Sequence, residues 1–439
     1  MAELFAYLDG FGAGGSLTKS ILIVAAPTGS TVTVTKGSTT KTAIEKNGEW
    51  WFKGLENGEW TIRAELDGQS ATEVINITQF GVYRKRMAYA RIFGISRDIT
   101  ATSPAWARTD MAIGMTAKAS VGTVAGKSDF DNEMPWKGIV RQHIGSDVMV
   151  KIPKFYYQRT RSGTIEHIRI TDKPESGFKV HPLFTHNGKE SAYAYVGAYK
   201  TSSNNRSVSG AKPQLDQTRA TMRNNAKGKG TGWSLIDIAA LSAIQMLMLV
   251  EYADNDMQKV IGRGNCDNND IASILRTGSC DNVPGLTGRP AGTDGKVDVI
   301  YRGIEGVWGN IWEWVDGVNV NNGTFYVCND QSKYADNTST GYTPLSFKAP
   351  TISNSFITGV GLDIGANTHV MLPDAVSGGS ETTYFCDISF GNPSTGWRVV
   401  NFSGCMYTEG NAGLFCVGFN NDSSHHVMNF GSRLLYIPS

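Results

Sequence analysis

Residues Leu235–Tyr252 are apolar around nearly the whole circumference of a helix, and that run constrains the fold more than any other feature. A helix with no polar face has to be covered on every side. Its continuous apolar part, Ile238–Val250, is interrupted by Ser242 and Gln245. It also falls short of the roughly 18 residues that span a bilayer. The cover must then be protein, with layers packed on both sides of one central helix. Ser234-Leu235-Ile236-Asp237 reads as the capping box, with Ser234 at the cap and a carboxylate three positions on. The helix should end near Asp254-Asn255, with Met246 and Met248 as core filler.

The layers should be strands. The chain has 439 residues, too many for one ordinary domain. Its 50 glycines and low charged content (18%, against roughly 25% in an average soluble protein) suit short strands joined by tight turns. Lys and Arg number 41 and Asp and Glu 40, so no basic field would gather nucleic acid or insert the chain into an anionic membrane. Asparagine is concentrated late: 23 of the 28 follow residue 200, which makes the back half rich in turns.

Residues 19–82 read as a small antiparallel β-sandwich of the immunoglobulin-like kind, after an N-terminal extension, residues 1–18. Thr31-Val32-Thr33-Val34-Thr35 alternates at period two, and the strand texts at 49–52, 60–64 and 73–77 are marked off by Asn47-Gly48, Asn57-Gly58 and Asp67-Gly68. Residues 83–97, with Arg84, Lys85, Arg86, Arg91 and Arg97, read as a connector to a second domain, 98–439. Within it, Asp147–Tyr157 is the strongest strand candidate, and residues 202–206 and 224–232 read as exposed loops. No basic start followed by an apolar stretch opens the chain, so synthesis and folding in a cytosol are expected. There the six cysteines, none in a CxxC pair, should be buried thiols. Asp267-Asn268-Asn269-Asp270 lacks the glycine and terminal glutamate of a calcium loop. No metal site and no cofactor are expected.

Gly306-Val307-Trp308-Gly309-Asn310-Ile311-Trp312-Glu313-Trp314-Val315-Asp316-Gly317 places three indoles within seven residues. Such a cluster is either a core staple or the floor of a pocket. This stretch resembles the "GNVWEWV" signature of the C-type-lectin-like fold found in formylglycine-generating enzymes and their relatives. Gly396-Trp397-Arg398-Val399-Val400 and Gly431-Ser432-Arg433-Leu434-Leu435 look like that family's closing pair of strands, with Arg398 and Arg433 repeating a Gly-x-Arg element. The resemblance covers roughly residues 95–439. It implies a fold class of α+β, mostly β, with an immunoglobulin-like sandwich followed by a C-type-lectin-like domain. Trp308, Gly309, Asn310, Trp312, Glu313, Trp314, Trp397, Arg398 and Arg433 would be its scaffold.

Two branches of that superfamily differ in function. The oxidase branch needs a close cysteine pair, but Cys405 and Cys416 are eleven apart with no His between them. No catalytic residues are therefore assigned, and the expected protein is not an enzyme. The other branch holds the variable proteins of diversity-generating retroelements, many of them phage tail proteins that recognise a host. The text Ala243–Ala253, together with Ser403-Gly404-x-Met406 and Gly410-x-Ala412-Gly413-x-Phe415, looks like members of that branch. The resemblance implies a recognition segment at 397–433, built on Gly404, Met406, Gly410, Ala412, Gly413, Phe415, Gly431 and Arg433. Its ligand-binding positions would be Asn401, Cys405, Tyr407, Thr408, Glu409, Asn411, Cys416, Gly418, Asn421, Asp422, His425, Val427 and Asn429.

Residues 399–432 contain no Lys or Arg, and period-two spacing would put Cys405, Tyr407, Glu409 and Asn411 on one face. Adjacent His425 and His426 would point in different directions. The expected partners are a bacterial surface receptor, protein or polysaccharide, and other phage tail proteins; tail proteins of this kind are often homotrimers, but the sequence does not fix the oligomeric state. The protein would be made in the host cytoplasm and assembled into a virion tail. A formylglycine-generating-type oxidase and a structural tail component stand as the alternatives.

Overall fold

The computed structural model describes residues 19–26, 29–46, 48–66, 69–87, 89–186, 188–391 and 395–438. The N-terminal extension, Asn47 and the pair Asp67-Gly68 lie outside them. The chain is mostly β, with few helices among many short strands. It divides into two compact units. One holds the described residues up to Arg91 together with Lys173–Gly177, and the other holds Ile92–Asp172 and Phe178–Ser439.

In the first unit, two four-stranded sheets share one core. One sheet runs Ile44–Lys46, Glu49–Leu55, Ser20–Ala25, Val82–Arg86, and the other Thr39–Thr42, Thr31–Lys36, Gly58–Leu66, Gln69–Ile77. Alternation decides which side chains enter that core. Val32 and Val34 are buried between exposed or half-buried threonines, and Trp60, Ile62 and Ala64 are buried while Glu59, Arg63 and Glu65 face out. They meet Leu22, Val24 and Phe52 of the first sheet. Asn57-Gly58 is not a hairpin turn: the strands on either side of it belong to different sheets, so it carries a crossover. Residues 83–97 are not one connector either. Val82–Arg86 pairs in parallel with Ser20–Ala25, while Phe93–Asp98 already belongs to a sheet of the second unit.

The second unit wraps the helix Ile238–Tyr252, every residue of which is buried. Ser242, Gln245 and Glu251 each make at least one hydrogen bond, although Gln245 Oε1 has no partner among the described residues. Glu251 pairs with Arg302 at 2.6 Å and accepts from the Tyr301 hydroxyl, and the Gln245 amide donates to the Leu414 carbonyl at 3.1 Å. Asp237 caps the helix, accepting from the Ala240 N–H at 2.8 Å. The capping box at Ser234 fails because Trp233–Leu235 is a strand, with Ser234 opposite Leu435. The helix stops where Ala253 turns left-handed, at φ +54°. No helix among the described residues is long and apolar enough to cross a membrane.

Three larger sheets, with smaller ones of two and four strands, surround this helix. The run Asp147–Tyr157 is split between two of them. Asp147–Pro153 joins Val140–Ile144, Tyr193–Lys200, Arg433–Tyr436 and Trp233–Leu235. Tyr156–Ser162 pairs with Ile165–Thr171 in another sheet. The break falls after Pro153, where Lys154 N–H still donates to the Ala192 carbonyl at 2.9 Å before the chain enters the other sheet at Tyr156. The third sheet has nine strands and includes Trp312–Asn321, Trp397–Phe402, Val417–Asn421 and Ile388–Phe390, in that order. Part of the expected 224–232 loop is helix, Arg219–Lys227, capped by Thr218. All six cysteines are buried and unpaired. Asp267 pairs with Arg263 at 2.6 Å, and Asp270 caps a short 3-10 turn at Ile271–Ser273.

Candidate functional site

The tryptophan stretch answers the staple-or-floor question both ways. Trp308 and Trp314 are fully buried, and each indole N–H is satisfied: Trp308 donates to Gly262 O and Arg263 O at 3.2 Å, Trp314 to Gln217 O at 2.9 Å. Gly309 and Asn310 make the tight turn between them with φ of +76° and +63°. A Cβ on Gly309 would lie 3.0 Å from the Asn265 carbonyl. Asn310 tolerates its left-handed backbone because its side-chain oxygen accepts from Leu275 N–H at 2.8 Å and the Asn265 amide at 2.9 Å.

Glu313 anchors the frame. Its carboxylate meets Arg433 at 2.8 Å and Lys200 at 3.0 Å, all three side chains being buried. Arg433 also donates to the carbonyls of Gly197 (2.9 Å), Glu305 (2.6 Å) and Gly306 (3.1 Å). Burial pushes the Glu313 carboxyl up, but the two cations outweigh it and hold it below its ordinary value. Burial likewise lowers Lys200. Arg398 has no such role: it is half-buried, and among the described residues its one hydrogen bond goes to the neighbouring Trp397 carbonyl, at 2.8 Å. Nor are its strand and that of Arg433 a pair. Trp397–Phe402 lies between Trp312–Asn321 and Val417–Asn421, while Arg433–Tyr436 lies in a different sheet.

Around Trp312, residues between Asn401 and Phe430 together with Phe390 form a cavity of about 420 Å³. Of the thirteen candidate positions, Asn401, Tyr407, Thr408, Asn411, Asn421, His425, Val427 and Asn429 line it. Trp312 and Phe430 stack at 6.2 Å between ring centroids, and Phe390 meets Trp312 edge-on at 5.3 Å, so the lining has an aromatic side. The polar side is a set of amides. Asn421 donates to Asn401 Oδ1 at 3.1 Å, and Asn429 donates to the Tyr407 hydroxyl at 2.6 Å and to the Cys405 sulfur at 3.4 Å. Among the described residues, no Lys, Arg, Asp or Glu lines this cavity. Burial, with Cys405 nearby, pushes the Tyr407 phenol up to about 12, and partial burial lowers His425. Both are therefore neutral at pH 7.

The other five candidates are not part of this lining. Cys405 and Cys416 are fully enclosed beneath it with Met406, Gly418 is buried, and Glu409 and Asp422 are exposed. The expected shared face of Cys405, Tyr407, Glu409 and Asn411 does not form, because residues 403–413 are not a strand. Ser403, Gly404 and Glu409 have φ of +86°, +73° and +58°, and Glu409–Asn411 is a 3-10 turn. His425 packs against Phe430 at 5.1 Å while His426 pairs with Asp216 at 2.8 Å. Sequence reasoning missed Phe390, Asn420 and Phe430. Phe390 reaches the site through parallel pairing of Ser389 with Val417, a long-range register that no local pattern announces. Asn420 sat in plain view beside Asn421.

A larger cavity of about 610 Å³ lies elsewhere in the second unit, lined by Cys328, Asp330, Lys333 and Asn367 among others. It gathers none of the candidate residues. No protein-family model matches the chain, and no curated protein matches it. Among solved structures, a "putative pore-forming toxin" from Bacteroides vulgatus matches at 12% identity with a TM-score of 0.13. The match covers 33% of this chain and 57% of that one, so this chain spans just over half the length of its neighbour, and overlap this poor carries no argument about fold or function.

Proposed function

We propose that the protein is a receptor-binding variable protein of a phage or prophage tail. In this reading the first unit is an immunoglobulin-like spacer and the second a C-type-lectin-like domain presenting the cavity around Trp312. The observation that carries it is convergence: eight residues chosen from the resemblance, spread over 401–429, line one uncharged cavity. The enclosed residues between them, Cys405, Met406, Ala412 and Phe415, would hold the backbone fixed while the lining changes. Asn, Tyr, Thr and His provide contact area and adaptable hydrogen bonds, the mix that recognition loops use. The oxidase alternative is weaker, because both thiols are enclosed and burial holds Cys416 well above its ordinary value, in the unreactive protonated form. The test is the DNA beside the gene. A near-copy of the segment encoding 397–433, differing only at adenines and next to a reverse transcriptase gene, is the expected result. Flanks with neither would remove diversification from the account.

A further inference from the structure

We propose that the cavity around Trp312 takes a neutral saccharide ring as its ligand. This rests on reading that cavity as the recognition site, and it names the chemistry that the resemblance left open between protein and polysaccharide. The first argument is charge. Among the described residues the lining holds no ionised side chain at pH 7, so a phosphate, carboxylate or ammonium entering it would lose hydration without gaining an opposite charge. The volume of about 420 Å³ lies within the roughly 300–1,000 Å³ of small-molecule sites.

The second argument is unused hydrogen-bonding capacity. Asn401 is 2% exposed, and its Oδ1 accepts from Asn421, while its own Nδ2 has no partner among the described residues. Turning both amides over preserves the count, so the pair keeps one donor and one acceptor for a ligand either way. A hydroxyl group is both at once. Vicinal ring hydroxyls match such paired amides, and Asn411, Asn420 and Thr408 extend the polar side.

The third is the aromatic side. Tyr407 is 49% exposed at the mouth, and Phe390 and Trp312 lie deeper. A saccharide ring has an apolar C–H face and a hydroxylated edge, and the cavity offers a surface for each.

The experiment uses the full chain and a panel of neutral trisaccharides (glucan, mannan, galactan and N-acetylglucosamine series), with trigalacturonate as the charged counterpart of the galactan. Saturation-transfer NMR should show transfer to the ring protons of at least one neutral member and none to trigalacturonate. Affinity should be the same at low and high salt, since no ion pair forms. Tyr407→Ala, at an exposed position that does not threaten folding, should weaken binding roughly tenfold. Asn401→Leu should abolish it, with Tyr407→Ala standing as the readout if that variant misfolds. Absence of binding by every neutral member at millimolar concentration overturns the saccharide assignment. Capture of a protein ligand that Tyr407→Ala weakens would overturn it too, but would leave the recognition site standing. Saccharide binding unchanged by Tyr407→Ala would place the ligand elsewhere and overturn both.

Discussion

Replacing Glu313 by Gln removes the carboxylate that bonds both buried cations, Arg433 and Lys200, and leaves the buried Asp298 as the acidic group near them. At an effective dielectric of about 20, charges at the observed 2.8 Å and 3.0 Å attract by about 6 kcal/mol each. Much of that gain offsets the several kcal/mol spent taking each ion out of water. The net cost of taking this partner from the two cations should be about 3–5 kcal/mol, a large part of a typical stability of about 5–15 kcal/mol. Urea titration read by hydrogen exchange at the Ile238–Tyr252 amides reports the second unit alone. Removing both partners, Glu313→Leu with Arg433→Met, should cost less than the two single changes summed. The pH dependence has a definite sign. The Glu313 carboxyl is depressed in the fold, so its contribution is present above about pH 4.3 and lost as pH falls below that. A Glu313→Gln cost within about 0.5 kcal/mol would place the pair among exposed ion pairs and refute the anchor.

Other outcomes follow from the same structure. His369 is fully buried, both ring nitrogens lack hydrogen-bond partners among the described residues, and burial lowers it to about 3. Protons then bind the unfolded chain first, so stability should fall between pH 6.5 and 4.5 by about 2–3 kcal/mol from this group. In His369→Leu that slope should be smaller by the same amount; an unchanged acid profile would contradict it. Leu247→Ala, at a helix position 1% exposed, should cost about 2–5 kcal/mol in urea titration, and a cost under 1 would show that the site collapses. The six cysteines should react with an aromatic disulfide reagent only after denaturation, and fast native reaction of any of them would contradict their burial.

What could be read in advance was whatever depended on local pattern. The helix announced itself because an all-apolar circumference has one solution, and the first unit's strands because Val32/Val34 and Trp60/Ile62 alternate. The failures share a cause in long-range pairing. Ser234 looked like a cap until Leu435 took it into a sheet, and Asn57-Gly58 looked like a hairpin although the strands beside it lie in different sheets. Arg398 and Arg433 have matching neighbours in sequence, yet only Arg433 finds a buried carboxylate. The site itself was half legible. Period two was the wrong geometry for residues 403–413, where left-handed residues fold the chain back, yet most of the chosen positions still arrive at one cavity.

The central claim is that the cavity around Trp312 is a recognition site whose lining varies on a fixed frame. Sequencing the segment encoding 397–433 from many independent isolates of the same element tests it most directly. The account predicts substitutions concentrated at Asn401, Tyr407, Asn411, Asn421, His425, Val427 and Asn429, with Trp397, Met406, Phe415 and Arg433 constant. Variation spread evenly along the segment, or gathered at exposed residues away from the cavity such as Asp422 and His426, would contradict it.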